Sequence, residues 1–381
     1  MRALHIVSWY PNVEDPTQAP FVERHVQAMR RYAEQEVWHI EVRLHRRWGW
    51  RSTGPAADRT LVLLCPLRTW FIIEWLTTLM VLWAWFTRDR SVRHDVVNFY
   101  IAYPLCTRIG LLRRIIRRPL LMMEQWSGYH FELGTAGAPL RRVRRIFRFR
   151  IPVICVSESL ANDIRRFSGI ADHPYAVVPN VVEVGSFSPS DRGPRQDPAV
   201  LFAVANWRRP KRPEVMVEAV ALLRQRGRNV VLRIGGDGPE MKAVMRRVAE
   251  LGLGDAVVHA GWMRPDEAAM AMRDAFALVH CSDYETFSVV CAESICCGTP
   301  VIASRVGGIP SFINERNGSL IGTNEAAAWA DAIDAEWDRI AGLDRARMAA
   351  EARARFSPDT IGRRLNELFE RRMKGLPVDN G

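Results

Sequence analysis

The chain has 381 residues, 48% of them hydrophobic and 25% charged, which predicts two or three folded domains and excludes an intrinsically disordered protein. Its formal net charge of +11 comes almost entirely from residues 1–190, which contain 26 arginines, no lysine and 16 acidic residues. That asymmetry predicts an anionic partner, which can be a phosphorylated substrate, an acidic bilayer or a nucleic acid.

The seven cysteines indicate a reducing compartment. Four of them lie within residues 281–297, and two of these four are adjacent, which favours free thiols in a cytoplasmic protein. No spacing of cysteine and histidine is typical of a zinc site, and no metal or cofactor is expected. The first eight residues lack the apolar core of a signal peptide and predict a buried strand instead.

The order strand, loop, helix opens the chain. Residues 3–10 predict a strand, and an amphipathic helix begins at Phe21, which is the start of a Rossmann-like α/β domain. We expect this N-terminal domain to cover residues 1–185, with further strands at 95–100, 119–123 and 153–156, and helices at 105–118 and after Ser157. A segment rich in Ser, Pro, Gly and Asp at 186–198 predicts the linker between domains.

Residues 69–87 contain four tryptophans and have arginines on both sides. Nineteen residues could just span a bilayer, roughly 28 Å at helical rise, but Glu74 would cost about 2.5–3.5 kcal/mol at that depth. Tryptophan and arginine suit the headgroup region better. We expect an in-plane amphipathic helix, or helix pair, in one leaflet. An internal helix packed on the N-terminal sheet is an equal alternative, and a spanning helix is a weaker one.

Residues 141–150 interleave six arginines with Val, Ile and Phe, and predict a basic amphipathic helix. Such a helix could contact an anionic bilayer or cover the edge of a domain as a solvated helix. A nucleic acid would also suit its charge, but no helix-turn-helix, zinc finger or RNP pattern accompanies it, so no nucleic-acid partner is expected.

A second α/β domain is predicted at 199–356, followed by a last helix at 357–375. Within it, Glu285 and Glu293 flank the start of a short helix, which Thr286 or Ser288 could cap. A helix start attracts a diphosphate. The first carboxylate could bind the hydroxyls of a sugar, and the second, roughly 12 Å further along the axis, those of a ribose. The spacing of two glutamates alone is more often found on an ordinary helix surface.

The string around these glutamates is more specific, because it resembles the signature of the retaining glycosyltransferases of family 4, which have the GT-B fold. The matching residues are Glu285, Phe287, Glu293, Cys297, Gly298, Pro300, Val301, Gly307, Gly308, Ile309 and Pro310. Thr286 and Ser288 replace glycines of that signature. The resemblance implies two Rossmann-like domains with parallel sheets facing a central cleft, and a last helix that crosses back to the N-terminal domain.

The resemblance also implies where a nucleoside-diphosphate sugar binds. Lys211 would grip the diphosphate, and Arg208 or Arg209 would supply a second cation because Asn206 stands where relatives have an arginine. A surface basic cluster is the alternative for this loop. The full set expected at the donor is Asn206, Arg208, Lys211, Gly236, Asp237, Gly238, Met263, Glu285, Thr286, Phe287, Ser288, Val289 and Glu293.

On the acceptor side, residues 124–128 resemble a Glu-His-Trp-Ser-Gly string of related transferases, in which the histidine is thought to contact the transferring sugar. Gln125 takes its place here, and a glutamine binds a hydroxyl but cannot exchange protons. His130 could substitute, although it could equally be a solvent-exposed loop residue. Catalytic roles are thus expected for Glu285, Lys211, Gln125 and His130. Ala19 and Pro20 replace a loop glycine that relatives usually have, and that loop could also be a loose surface segment.

The predicted function is the metal-independent transfer of a sugar, with retention, to a lipid-linked or cell-surface polysaccharide precursor. The protein would be cytoplasmic, peripheral on the inner membrane. Alternatives are a small soluble acceptor, a sugar-nucleotide epimerase and a non-catalytic module that binds an anionic ligand.

Overall fold

The computed structural model describes residues 1–12, 15, 18–54, 58–131, 138–190, 193 and 197–378. The chain forms two compact units. The N-terminal unit comprises Met1–Val181 and Pro358–Gly381, and the C-terminal unit is Val182–Ser357.

The N-terminal unit is built on an eight-stranded sheet in the order β3-β4-β2-β1-β5-β6-β7-β8, parallel except for the antiparallel edge strand β3. Its central strands are apolar runs buried along their length, as expected of a sheet covered on both faces. The strands are β1 (Arg2–Val7), β2 (Glu34–Leu44), β3 (Gly49–Thr53), β4 (Asp58–Cys65), β5 (Val96–Tyr100), β6 (Leu120–Glu124), β7 (Val153–Cys155) and β8 (Tyr175–Val177).

Seven helices belong to this unit among the described residues. They are α1 (Pro20–Met29), α2 (Trp70–Phe86), α3 (Ala102–Leu105), α4 (Ile109–Ile116), α5 (Ala138–Phe147), α6 (Glu158–Ser168) and α14 (Pro358–Met373). The last helix packs on the first at Gly362, where a β-carbon would lie 2.3 Å from the carbonyl oxygen of Ala28. This close approach explains why a glycine occupies the middle of α14.

The C-terminal unit has a six-stranded parallel sheet in the order β11-β10-β9-β12-β13-β14. Its strands are β9 (Ala199–Val204), β10 (Val230–Gly235), β11 (Val257–Gly261), β12 (Ala277–His280), β13 (Val301–Ser304) and β14 (Gly318–Ile321). Its helices are α7 (Pro213–Gln225), α8 (Met241–Glu250), α9 (Pro265–Asp274), α10 (Val289–Cys296), α11 (Ala326–Ala335), α12 (Trp337–Ala341) and α13 (Arg345–Phe356).

Several predicted boundaries differ from the structure. The helix expected at 105–118 corresponds to α4, which is shorter at both ends because Arg108 and Arg117 have non-helical backbone angles, and a separate short helix, α3, precedes it. The boundary between the units falls at Val181, before the linker predicted at 186–198. Residues from 182 onward already bond to the C-terminal unit: the Val182 N–H donates to the Phe356 carbonyl at 2.9 Å, and Arg273 donates to the carbonyls of residues 186 and 188.

The tryptophan-rich segment forms one helix, α2, rather than a pair. In the described part of the chain, no helix is long and apolar enough to cross a membrane, so the spanning alternative is not supported. One side of α2 packs on β2, α3 and α4, while its other side exposes large apolar side chains. The helix therefore combines features of the two remaining alternatives, a helix packed on the domain and a helix with an exposed apolar face.

Candidate active site

Two loops of the C-terminal unit are joined by backbone pairing. Lys211, after β9, forms an isolated antiparallel bridge with Ser282, after β12. The Arg212 N–H donates to the Cys281 carbonyl at 3.0 Å, and the Asp283 N–H donates to the Pro210 carbonyl at 2.9 Å. This pairing holds the basic loop predicted at 206–213 against the loop that contains Glu285.

Glu285 is the centre of this arrangement. Its Oε1 lies 3.0 Å from Lys211 Nζ and 2.9 Å from His280 Nε2, and its side chain is 11% exposed. Burial by itself would raise the pKa of this carboxyl, but the Lys211 charge and the hydrogen bond from His280 outweigh it and lower the pKa to about 2. The group is therefore a fixed carboxylate at neutral pH, which can only accept hydrogen bonds.

Two glycines contact the backbone carbonyl of Glu285. Gly307 has φ +54°, and a β-carbon there would lie 1.7 Å from the Glu285 carbonyl oxygen. The Gly308 N–H donates to the same oxygen at 2.9 Å. The first glycine of the pair, Gly307, is thus required by a close approach of two backbones.

The helix after this loop, α10, begins at Val289. Its N-cap residue is Ser288, as predicted, but the side chain makes no capping bond and instead donates to the Cys291 sulfur at 3.1 Å. Ser288 has φ +73°, which is strained for a serine and natural for the glycine of the signature. The first N–H groups of α10 have no partner within the helix, and the buried Glu293 lies on its second turn.

The basic loop offers two candidate cations besides Lys211, and the structure distinguishes them. Arg209 pairs with Glu214 and Glu240, at 3.2 and 3.9 Å. Arg208 bonds to the Asn206 side chain at 3.3 Å and has no carboxylate partner among the described residues. Because Arg208 is exposed and forms no ion pair with a described carboxylate, it is a better candidate than Arg209 to bind an anion.

The turn after β10 packs directly on this loop. A β-carbon at Gly236 (φ +87°) would lie 2.0 Å from the Ala205 carbonyl oxygen. Asp237 accepts the Trp207 N–H through its carbonyl at 2.8 Å, and its side chain accepts the Gly238 N–H at 2.7 Å. The turn therefore positions residues 205–207. Met263 lies against Gly235, where an added β-carbon would lie 2.4 Å from the methionine sulfur.

In the N-terminal unit, the side chain of Gln125 is oriented by a residue that the sequence did not single out. His25 Nε2 lies 3.3 Å from the Pro179 carbonyl, and its Nδ1 lies 3.2 Å from Gln125 Nε2. Burial lowers the pKa of His25 to about 4, so the ring is neutral. With Nε2–H donating to a carbonyl, Nδ1 accepts from the Gln125 amide, which leaves the Gln125 oxygen to accept from another group.

His130 is placed differently. Its Nδ1 lies 3.3 Å from the Asp163 carboxylate on α6, and its ring meets Phe131 edge-on at 5.0 Å. Ala19, expected on the acceptor side, is the N-cap of α1 with φ +46°, and Pro20 is the first residue of that helix. A left-handed alanine at this point agrees with the glycine that relatives usually have there.

A buried carboxyl, Glu124, fixes the strand end next to Gln125. It accepts hydrogen bonds from the Ala102 N–H and the Tyr129 hydroxyl, both at 2.6 Å. Burial is the main cause that raises its pKa to about 7. Close to Glu124, the ring of Trp126, which follows β6, stacks on Tyr103 of α3 with ring centroids 6.0 Å apart.

No group of three or more His, Cys, Asp or Glu side chains within the described ranges is arranged to hold a metal ion.

Comparison with known proteins relates the C-terminal unit to one family. The family model of the glycosyl transferases group 1 matches residues 187–355. These residues make up most of the C-terminal unit, Val182–Ser357. The match confirms the resemblance found in the central stretch, since it includes Lys211, Glu285, Glu293 and the Gly-Gly pair.

Individual relatives agree with this assignment. The chain is 35% identical over 187 residues to the D-inositol 3-phosphate glycosyltransferase of Pseudarthrobacter chlorophenolicus, covering 46% of this chain and 44% of that protein. This chain thus spans less than half the length of that curated relative.

Two solved structures match nearly the whole chain. Sucrose-phosphate synthase from Thermosynechococcus elongatus has a TM-score of 0.78 at 19% identity, covering 98% of this chain and 100% of that one. Anabaena HepE in complex with UDP and glucose has a TM-score of 0.73 at 18% identity, covering 97% and 99%. The fold is therefore GT-B, as the sequence predicted.

Proposed function

We propose that the protein is a retaining glycosyltransferase that uses a nucleoside-diphosphate sugar. The observation that supports this most is the convergence of Lys211 and His280 on the Glu285 carboxylate, directly before the amino end of α10. A donor diphosphate would lie against Lys211, Arg208 and the first N–H groups of α10, which stabilise the charge that develops as the glycosidic bond breaks.

The neighbouring groups would orient the donor and the acceptor. Glu285, held as a carboxylate, would accept hydrogen bonds from the sugar hydroxyls, and Glu293 would accept those of the ribose. In the N-terminal unit, Gln125 would accept a hydroxyl of the acceptor through its amide oxygen, since His25 engages its amide nitrogen. In the proposed step the bond from the anomeric carbon to the diphosphate oxygen breaks, the acceptor oxygen attacks on the same face, and its proton passes to the leaving phosphate.

We propose further that the acceptor is lipid-linked and that the protein works peripherally at the cytoplasmic face of the inner membrane. The exposed aromatic side chains of α2 support a membrane setting. A small phosphorylated acceptor is the second candidate, because the names of a curated relative and of a solved neighbour refer to inositol 3-phosphate and sucrose phosphate. Organic extraction of a radiolabelled product distinguishes the two, since a lipid-linked glycoside leaves the aqueous phase.

The test uses Lys211→Ala in the purified full chain. Donors are first selected by thermal shift on a panel of nucleoside-diphosphate sugars, and transfer and donor hydrolysis are then measured. We expect kcat to fall by about 10²–10³-fold, because one preorganised cationic donor to the leaving group is lost. Lys242→Ala, an exposed lysine on α8 of the same unit, is the matched control and should change kcat less than about twofold.

Each outcome of these experiments tests one part of the proposed function. Hydrolysis and transfer that are unchanged by Lys211→Ala would contradict the proposed donor site. A wild-type protein that binds these donors but never turns them over would be a binding module. Retention is checked by the anomeric configuration of the product in NMR, and an inverted product would contradict it.

A further inference from the structure

Helix α2 has its polar side chains on its buried face, which is the opposite of the pattern of a helix that faces water. Its buried face contains Glu74, Thr77 and Thr78, and the two threonine hydroxyls donate to helix carbonyls at 2.8 and 2.9 Å. Glu74 is fully buried and accepts from Arg142 Nε of α5 at 2.6 Å, with Arg108 at 3.8 Å. The polar side chains of α2 therefore face the protein, although Glu74 Oε1 has no hydrogen-bond partner among the described residues, while several large apolar side chains face outward.

The outward face of α2 is almost entirely aromatic and aliphatic. Phe71, Trp75, Leu79 and Trp83 follow each other at intervals of four residues, which forms one stripe along roughly 18 Å of the helix. Phe86 extends it at the carboxyl end, and these five side chains are between 36% and 56% exposed. A stripe of this kind is a mark of an interaction surface rather than of a solvated helix.

A second element adds to the stripe. Trp50, on the antiparallel edge strand β3, packs edge-on against Trp83 with ring centroids 5.0 Å apart. Trp48, directly before that strand, is 55% exposed. We call the combined surface the aromatic face, consisting of Trp48, Trp50, Phe71, Trp75, Leu79, Trp83 and Phe86.

The exposed charges around the aromatic face are mostly positive, with Asp89 as an exposed acidic exception. Exposed arginines lie on the same segments, at Arg46, Arg47, Arg51, Arg68 and Arg90. The guanidinium of Arg108 lies 4.7 Å from the ring of Trp75. A flat array of exposed tryptophans bordered by arginines matches the headgroup region of an anionic bilayer in both polarity and charge.

We propose that the aromatic face is an in-plane docking surface for an anionic lipid bilayer, with α2 parallel to the membrane and the β3 edge strand inserted beside it. The inference rests on the proposed function only for its biological setting, because docking itself needs neither donor nor acceptor. The partner is the lipid surface, and arginine contacts with acidic headgroups supply the salt-dependent part of the binding.

Co-sedimentation of the full chain with vesicles tests the proposal, using neutral phosphatidylcholine vesicles and the same lipid with about a third phosphatidylserine. We expect binding to the anionic vesicles that weakens with salt, and a blue shift of tryptophan emission. The double variant Trp75→Gln/Leu79→Gln and the single variant Trp48→Gln should each weaken partitioning by about tenfold or more. Arg46→Gln/Arg47→Gln should weaken binding to anionic vesicles by about fivefold per charge.

Trp262→Gln is the matched control, because Trp262 is an equally exposed tryptophan in the C-terminal unit. It should leave partitioning unchanged, and thermal melts of every variant check that it folds. The proposal is overturned if the wild type stays in the supernatant at low salt, if the variants bind as well as the wild type, or if the face instead joins two copies of the chain, seen as a dimer in analytical ultracentrifugation that Trp75→Gln/Leu79→Gln dissociates.

The catalytically impaired Lys211→Ala variant separates the two proposals. Vesicle binding that Lys211→Ala retains would show docking independent of turnover. Activity on a soluble donor and acceptor without vesicle binding would leave the transferase proposal standing and remove this one.

Discussion

Two buried carboxyls, one in each unit, show how the partner of a group decides its charge. Glu285 follows β12 in the C-terminal unit, and Glu124 ends β6 in the N-terminal unit. Both are withdrawn from water, and burial pushes the pKa of each upward. Glu285 faces Lys211 and His280, whereas Glu124 receives its bonds from a backbone N–H and a phenol.

The pKa values of the two carboxyls shift in opposite directions. The pKa of Glu285 is lowered to about 2 and that of Glu124 is raised to about 7, from the same ordinary value of 4.5. The neutral donors to Glu124 offset only part of its desolvation, while the Lys211 charge and the His280 hydrogen bond together reverse the effect of burial on Glu285. Glu285 therefore keeps a fixed negative charge where the proposed donor sugar would bind. Glu124, whose pKa is close to neutral pH, instead joins two loops through its hydrogen bonds.

The largest expected effect is that of Glu285→Gln, which leaves Lys211 and His280 facing a neutral amide. A depressed pKa stabilises the fold above the unfolded pKa of about 4.5, and this stability is lost as the pH falls towards 2. We therefore expect the variant to lose about 3 kcal/mol of unfolding free energy at pH 7, measured by urea denaturation. The deficit should be constant from pH 7 to 5 and should shrink below pH 4.5.

The control for this change is Glu250→Gln, an exposed glutamate at the end of α8 that pairs with Arg247 at 3.2 Å. A surface pair of this kind contributes at most about 1 kcal/mol. A Glu285→Gln deficit that is no larger than that of the control, or that is independent of pH below 4.5, would contradict the Lys211–Glu285 pair as the structure gives it.

Glu124→Gln should raise the free energy of unfolding above neutral pH, whereas Glu285→Gln should lower it. A carboxyl whose pKa is raised in the folded state keeps a proton that the unfolded chain has released, so wild-type stability falls as the pH rises from about 4.5 through 7. The variant has no proton to lose and retains an oxygen for the Ala102 N–H and the Tyr129 hydroxyl. It should match the wild type near pH 4.5 and exceed it by roughly 2–3 kcal/mol at pH 8.

Thermal melts across pH 4.5 to 8.5 measure this crossing, with Glu34→Gln as the exposed control that should show none. Parallel pH profiles for wild type and Glu124→Gln would mean that Glu124 is ionised at neutral pH in the folded protein. In that case the contrast between the two carboxyls would disappear.

The features predicted well from the sequence are local ones. The capped helix at Ser157, the turn at Gly307 and the placement of Glu285 and Glu293 around the start of α10 each depend on residues close together in the chain, so their spacing already indicates their geometry. His280 was also within reach, because a histidine that ends a buried strand five residues before Glu285 must lie near it. The apolar pattern around His280 predicts only that this residue belongs to a strand.

The features that were missed depend on contacts between distant residues. His25 is 100 positions from Gln125, and Trp50 lies 33 positions before Trp83. Neither pair has any spacing in the sequence that points to its partner. The buried position of Glu74 in α2 could not be predicted for the same reason, because its partners Arg142 and Arg108 lie 68 and 34 positions away in the sequence.

The smallest expected effect concerns backbone strain in the two units. Ser288 and Ala19 have φ of +73° and +46° at helix N-caps, where the family signature and related loops have glycine. A left-handed conformation costs a non-glycine residue about 1–2 kcal/mol, and the extra freedom of glycine in the unfolded chain offsets about 0.4–1 kcal/mol of the relief. Ala19→Gly and Ser288→Gly should therefore each stabilise the fold by about 0.5 kcal/mol.

Ala350→Gly, at an exposed right-handed position in the middle of α13, is the matched control and should destabilise by about 1 kcal/mol. The sign of the change is the informative quantity, measured by denaturant titration. If both glycines stabilise, the left-handed backbone at these positions is a property of the fold that this sequence tolerates at a cost. If Ser288→Gly destabilises as Ala350→Gly does, then the serine contributes something that its bond to the Cys291 sulfur alone does not explain, and donor affinity should be compared for that variant.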